Sequence, residues 1–202
     1  MGTRNLTCAV INNDYKVAQF AQWDGYPSGQ GIIILEFIRD KMDRPLMEKR
    51  LREITFLNDE EIELINESKK FPQQFSRDVG GRIFEFIQNG RYSSRELQVP
   101  SYNYKEVEHL WEMDKLFNQL SFAADSLFCE YAYVVDFDKN TFEVYKGFVK
   151  SPHTGERFSD MDTHKSNGDS QYYPVKHWKT FDLNDLPSNE VFLEELAENE
   201  ED

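Results

Sequence analysis

Two cysteines in 202 residues, Cys8 and Cys129, are too few for a disulfide scaffold. Both sit in apolar runs that read as strands. Two buried free thiols fit a reducing compartment, so the expected location is cytoplasmic. Histidine is equally sparse: His109, His153, His164 and His177 are scattered, without the spacing of zinc ligands. Basic residues are outnumbered 23 to 37, which leaves a net charge of −14. Such a chain is repelled by phosphate backbones and anionic bilayers, which argues against nucleic-acid and membrane partners. No apolar run approaches the length of a membrane span. The opening MGTRNLTCAVI lacks the basic flank and long apolar stretch of a signal peptide. It nearly matches a myristoylation start, but Leu6 stands where Ser or Thr is required. Missing too are the P-loop, the G-x-G-x-x-G spacing, the G-x-S-x-G elbow and the H-E-x-x-H zinc motif. These absences leave no cofactor, no metal and no assigned catalytic residue.

What the chain does have is aromatic bulk. Sixteen Phe and ten Tyr bring the aromatic share to 14%. That is far above a disordered composition and sets up a core of large side chains. The length suits one domain. The expected boundaries are 1–196 for that domain and 197–202 for an acidic, flexible tail, where like charges repel and little is apolar.

Asn5 to Ile11 and Tyr15 to Trp23 read as strands joined by a turn at Asn12–Asp14. A Gly- and Pro-bearing loop follows over Asp24–Gly31. IIILEFIRDKM places Ile34, Leu35, Ile38 and Met42 at helical spacing, and a second short helix runs through Leu51. Asn58 with Glu61 three residues on is a capping box. RDVGGRIFEFIQNG is a helix, Arg91–Tyr104 a loop, and Lys105–Leu120 a further helix. LFCEYAYVVDFDKNTFEVYKGF is a hairpin turning at Asp138–Asn140. Ser151–Ser170 reads as a mobile loop. YYPVKHWKTFDL is a final edge strand, and Pro187–Ser188 leads into a short helix. Strands at both ends around a helical middle predict an α+β fold. Its sheet is mainly antiparallel, built from N- and C-terminal strands, with the middle helices packed on it.

Three clusters could carry chemistry. The stretch AQFAQWDGYPSGQG gathers Gln19, Gln22, Trp23, Asp24, Tyr26 and Gln30 around three glycines. On a strand, Gln19 and Trp23 share one face and Gln22 the other. Amides, an indole and a carboxylate beside one loop are groups that orient a polar ligand or a protein partner, and groups that hold loops together. Asp160, Asp162 and His164 begin like a calcium loop, but Lys165 and Gln171 stand where glycine and the bidentate glutamate belong, so a solvated loop is expected. Glu130 and Asp136 share a strand face without an identified partner. Thr3 after Gly2 is similar to the start of an N-terminal-nucleophile hydrolase, whose chemistry needs a freed Thr3 amine.

MGTRNLT, KVAQFAQWDGYPSGQG and SLFCEYAYVVDFDKNTFEVYKGF resemble stretches of a family of uncharacterised proteins found in phages, bacteria and fungi. The resemblance covers most of the chain and is most specific at QWDGYPSGQG. It carries no activity, so it assigns no catalytic residue. The phage connection implies, by analogy alone, a modulator of a host protein. Three functions follow as expectations: an acidic binding protein acting on another protein, a hydrolase using Thr3, and a sensor of a small polar ligand.

Overall fold

The computed structural model describes residues 2–67, 79–89, 115–162 and 172–197. The first hairpin joins β1 (Asn5–Ile11) to β2 (Asp14–Ala21). Its two-residue turn puts Asn12 and Asn13 at φ 58° and 57°. Asparagine tolerates that left-handed region, and the turn it makes matches the twist of the flanking strands. The second hairpin joins β5 (Tyr131–Asp136) to β6 (Thr141–Lys146). Asp138 ties the two turns together, its carboxylate accepting from the N–H groups of Asn12 and Asn13 at 2.9 and 2.7 Å.

These strands and β7 (Lys176–Asp182) form a five-stranded sheet of order β2-β1-β5-β6-β7. Every neighbouring pair is antiparallel except β1 and β5, which run parallel in the middle. All seven residues of β1 are buried, as are five of six in β5. A central pair covered on both faces needs mostly apolar side chains on both, and Asn5, Thr7 and Asp136 are its buried polar exceptions. A small parallel pairing of β3 (Thr55–Phe56) with β4 (Lys115–Leu116) stands apart.

One face of the sheet carries the helices. They are α1 (Ile32–Glu36), α2 (Arg44–Glu53), α4 (Ile83–Asn89) and α5 (Asn189–Ala197). Ile34, Leu35, Met47, Leu51, Phe84 and Phe192 from these helices pack on Val17, Tyr133, Val135 and Phe142. The chain between the turns opens α3 (Asp59–Glu67) with the expected capping box. Glu61 N–H donates to Asn58 Oδ1, and Asn58 N–H to Glu61 Oε2, both at 2.9 Å. The other face carries irregular chain instead. Ala123, Cys129, Phe158 and Val175 cover Leu6, Cys8, Val10, Ala132, Val134 and Tyr145. The fold is therefore α+β, with helices on one side of a mainly antiparallel sheet.

Several expectations need correction. β2 stops at Ala21, before Gln22 and Trp23. The loop over Asp24–Gly31 is half helical, because a π-helical turn at Pro27–Gly31 runs straight into α1. Proline supplies a preset φ at that start and needs no N–H partner there. Cys129 precedes β5 rather than lying in a strand, and Glu130 likewise. The expected helix Lys105–Leu120 ends otherwise: Lys115–Leu116 is extended and pairs with β3, and a 3₁₀ turn covers Leu120–Ala124. Residues 105–114 lie outside the described ones, as do the loop 91–104 and the tail 198–202. The described part of the supposedly mobile loop, 151–162, is anchored by buried Phe158 and by Arg157.

Candidate functional site

The glycine stretch divides into an inner and an outer set. Gln19 is 5% exposed, and its amide donates to Phe20 O at 2.9 Å. Gln30, 7% exposed, accepts from Gly81 N–H at 2.8 Å through Oε1 and donates toward Trp23 O at 3.5 Å. Gly80 sits at φ +51°, and a Cβ there would stand 2.3 Å from Gln30 Oε1, so glycine is required. Gly25 is buried, with its N–H donating to Thr3 O at 2.9 Å and its carbonyl accepting from the Tyr133 hydroxyl at 2.7 Å. A Cβ on Gly25 would fall 2.8 Å from Thr3 O. Gln30 thus ties the turn to Gly81 and to Trp23, whereas Gln19 bonds within β2. Trp23, Asp24 and Tyr26 face outward, and Gln22 is half-buried.

Those outward rings belong to a larger surface that the local pattern did not reveal. Register aligns Ala21, Asn5, Tyr131, Lys146 and Lys176 in one row across all five strands. At three of the five strands, β2, β5 and β6, the chain leaves this row with an exposed aromatic close by. Trp23 and Tyr26 follow Ala21, Phe128 precedes Tyr131, and Phe148 follows Lys146. Among the described residues, these are four of the six exposed large apolar side chains, and they collect at one end of the sheet. Tyr26, Tyr131 and Trp178 continue as a ladder with ring centroids 6.5 and 6.2 Å apart. Two cations lie on the rings: the Arg4 guanidinium 4.6 Å from the Phe128 centroid and Lys146 Nζ 4.7 Å from that of Trp178.

Backbone strain marks the same end. Among the described non-glycine residues, five have positive φ. Three are asparagines in the hairpin turns, where that conformation costs little. The other two are Asp24 at 54° and Phe148 at 57°, both beside the aromatic row. Phe148 holds this conformation while 51% exposed, so full burial does not offset it. Asp tolerates that region much as Asn does, so the backbone strain at this end rests on Phe148.

A second cluster lies on the irregular face, toward the other end of the strands. Asp136 and Glu143 point the same way from β5 and β6. Arg157 reaches both, at 2.5 Å from Asp136 Oδ2 and at 2.7 and 2.8 Å from the two Glu143 oxygens. Tyr145 donates to Glu143 at 2.6 Å. Burial works to raise the Glu143 carboxyl, but the hydrogen bonds from Arg157 and Tyr145 outweigh it and hold the group below its ordinary range. Burial also pushes the Tyr15 phenol up to about 12. Glu130 is absent from this cluster; it accepts from Arg4 N–H at 3.2 Å near the aromatic row. Glu130 and Asp136 therefore do not form a working pair. Sequence spacing missed Arg157 because it arrives from a loop that carries no strand or helix pattern.

Other candidates are placed as follows. Cys8 and Cys129 are fully buried, and burial pushes both thiols upward, which makes them poor nucleophiles. Thr3 is 6% exposed beneath the Gly25 turn. Among the described residues, no group of three His, Cys, Asp or Glu side chains is placed to hold a metal. Asp160 and Asp162 are described, whereas His164 lies outside the described residues. No helix among the described residues is long and apolar enough to cross a membrane. Comparison with protein-family models, with curated proteins and with solved structures finds no match for this chain.

Proposed function

We propose that this chain works by binding another protein through the aromatic end of its sheet. The observation that carries the reading is the convergence of Trp23, Tyr26, Phe128 and Phe148, from three separate stretches, on one end of the strand row. Tyr and Trp rings dominate binding energy at protein interfaces, and Arg is enriched there with them. Exposed aromatics gathered in one patch on a folded chain mark such a site. The charge of −14 adds direction, since an acidic body steers encounters toward a basic partner. The protein then acts as an acidic modulator, and its free thiols agree with a cytoplasmic setting.

The test is affinity capture from the native host with the wild-type chain and with Tyr26→Ala/Phe148→Ala. A partner held by the wild type and lost by the double variant, with unchanged melting, supports the reading. Each anchor is expected to contribute about 2 kcal/mol, so the double variant should bind well over tenfold more weakly. Equal capture by both proteins sinks it.

A further inference from the structure

We propose a small-ligand site at the β2 edge, beside the aromatic end, that takes an organic ammonium ion. A groove of about 280 Å³ opens there, lined by Phe20, Asn118, Gln119, Ser121, Phe122 and Asp125. That volume is just below the ~300–1,000 Å³ of ligand pockets, so the occupant is smaller than a drug-sized molecule.

The walls are built in advance. Gln119 N–H donates to Ala18 O at 3.0 Å, and Gln119 Oε1 accepts from Phe20 N–H at 2.9 Å. Asn118 Oδ1 accepts from Leu120 N–H at 3.1 Å. These bonds clamp the 118–122 segment to the strand edge and engage one acceptor site on each amide oxygen. Phe20 and Phe122 meet edge to face with centroids 4.8 Å apart. Both rings are half-buried.

What faces a ligand is two aromatic rings, the Ser121 hydroxyl, the two amide side chains and the Asp125 carboxylate. Among the described residues, no cation pairs with Asp125. This combination selects by chemistry. An anion is repelled by Asp125 and by the charge of the whole chain. A neutral apolar guest would desolvate the carboxylate without pairing it. A bare metal ion wants six or more oxygens, which aromatic walls do not supply. An organic ammonium satisfies both parts, with its charge against Asp125 and its alkyl groups against the two rings.

Choline is the probe, with 3,3-dimethylbutan-1-ol as its neutral isostere and sodium chloride as the ionic-strength control. Amide chemical shifts of the full chain are followed during each titration. Saturable shifts at Phe20, Ser121 and Phe122 with choline are expected. Binding should weaken at least about tenfold for the neutral isostere and for Asp125→Asn. Phe122→Leu, which keeps the apolar bulk but removes the ring face, provides a second variant and should also weaken choline. No saturable shift with choline, or equal binding of the alcohol, overturns the proposal. Undiminished binding by either folded variant overturns it too. None of these outcomes bears on the aromatic end, so the two readings fail separately.

Discussion

The Tyr133 hydroxyl, in the middle of the sheet, donates to the carbonyl oxygen of Gly25 at 2.7 Å. This bond ties the central strand to the turn that presents Trp23 and Tyr26. Tyr133 is fully buried, so neither partner has water to fall back on.

Tyr133→Phe should therefore leave a buried carbonyl unsatisfied. The expected loss is about 1–3 kcal/mol in urea unfolding. Amide exchange should also quicken at Gly25. Unchanged stability would mean the turn is held by its other bonds, those of Gln30 and of Gly25 N–H to Thr3.

Arg157 faces two carboxylates that are 2% and 8% exposed. Arg157→Ala strands both charges, and about 3–5 kcal/mol of destabilisation is expected from equilibrium unfolding. The same cluster sets an acid limb. Glu143 has a lowered folded-state pKa, so its contribution is complete above the unfolded value of about 4.3. It is lost as pH falls through the folded-state value. Glu143→Gln should be less stable at neutral pH, and its stability should fall less steeply below pH ~4 than that of the wild type. Parallel acid limbs in the two proteins would remove Glu143 from this role.

Phe148 separates stability from recognition. Its left-handed backbone costs about 1–2 kcal/mol, and glycine in its place costs about 0.5–1 kcal/mol in chain entropy. The relief exceeds the cost by less than about 1.5 kcal/mol, so Phe148→Gly should melt within a few degrees of the wild type. It should nonetheless bind the captured partner more weakly. A large fall in melting temperature would show that the ring is a packing residue.

The capping box predicts a smaller effect. Asn58→Ala removes the acceptor for Glu61 N–H and should cost about 1 kcal/mol, read in thermal unfolding. A change within error would show that α3 contributes little to the cooperative unit.

Features settled by neighbours in the chain were legible from the residues alone. The Asn12–Asn13 turn, the second hairpin, the Asn58–Glu61 box and the α+β class each follow from side chains a few positions apart. Local sterics and period-two burial act at that range. The tertiary structure decided the rest. Strand pairing across more than a hundred residues aligned Ala21, Asn5, Tyr131, Lys146 and Lys176, and so brought four separate aromatics to one end. It turned Gln30 inward, because Gly81 N–H needed an acceptor. It also sent Arg157 beneath a loop to two carboxylates, since buried charges must find a partner wherever the fold can supply one. These contacts depend on register and burial, which a residue's own neighbours do not encode.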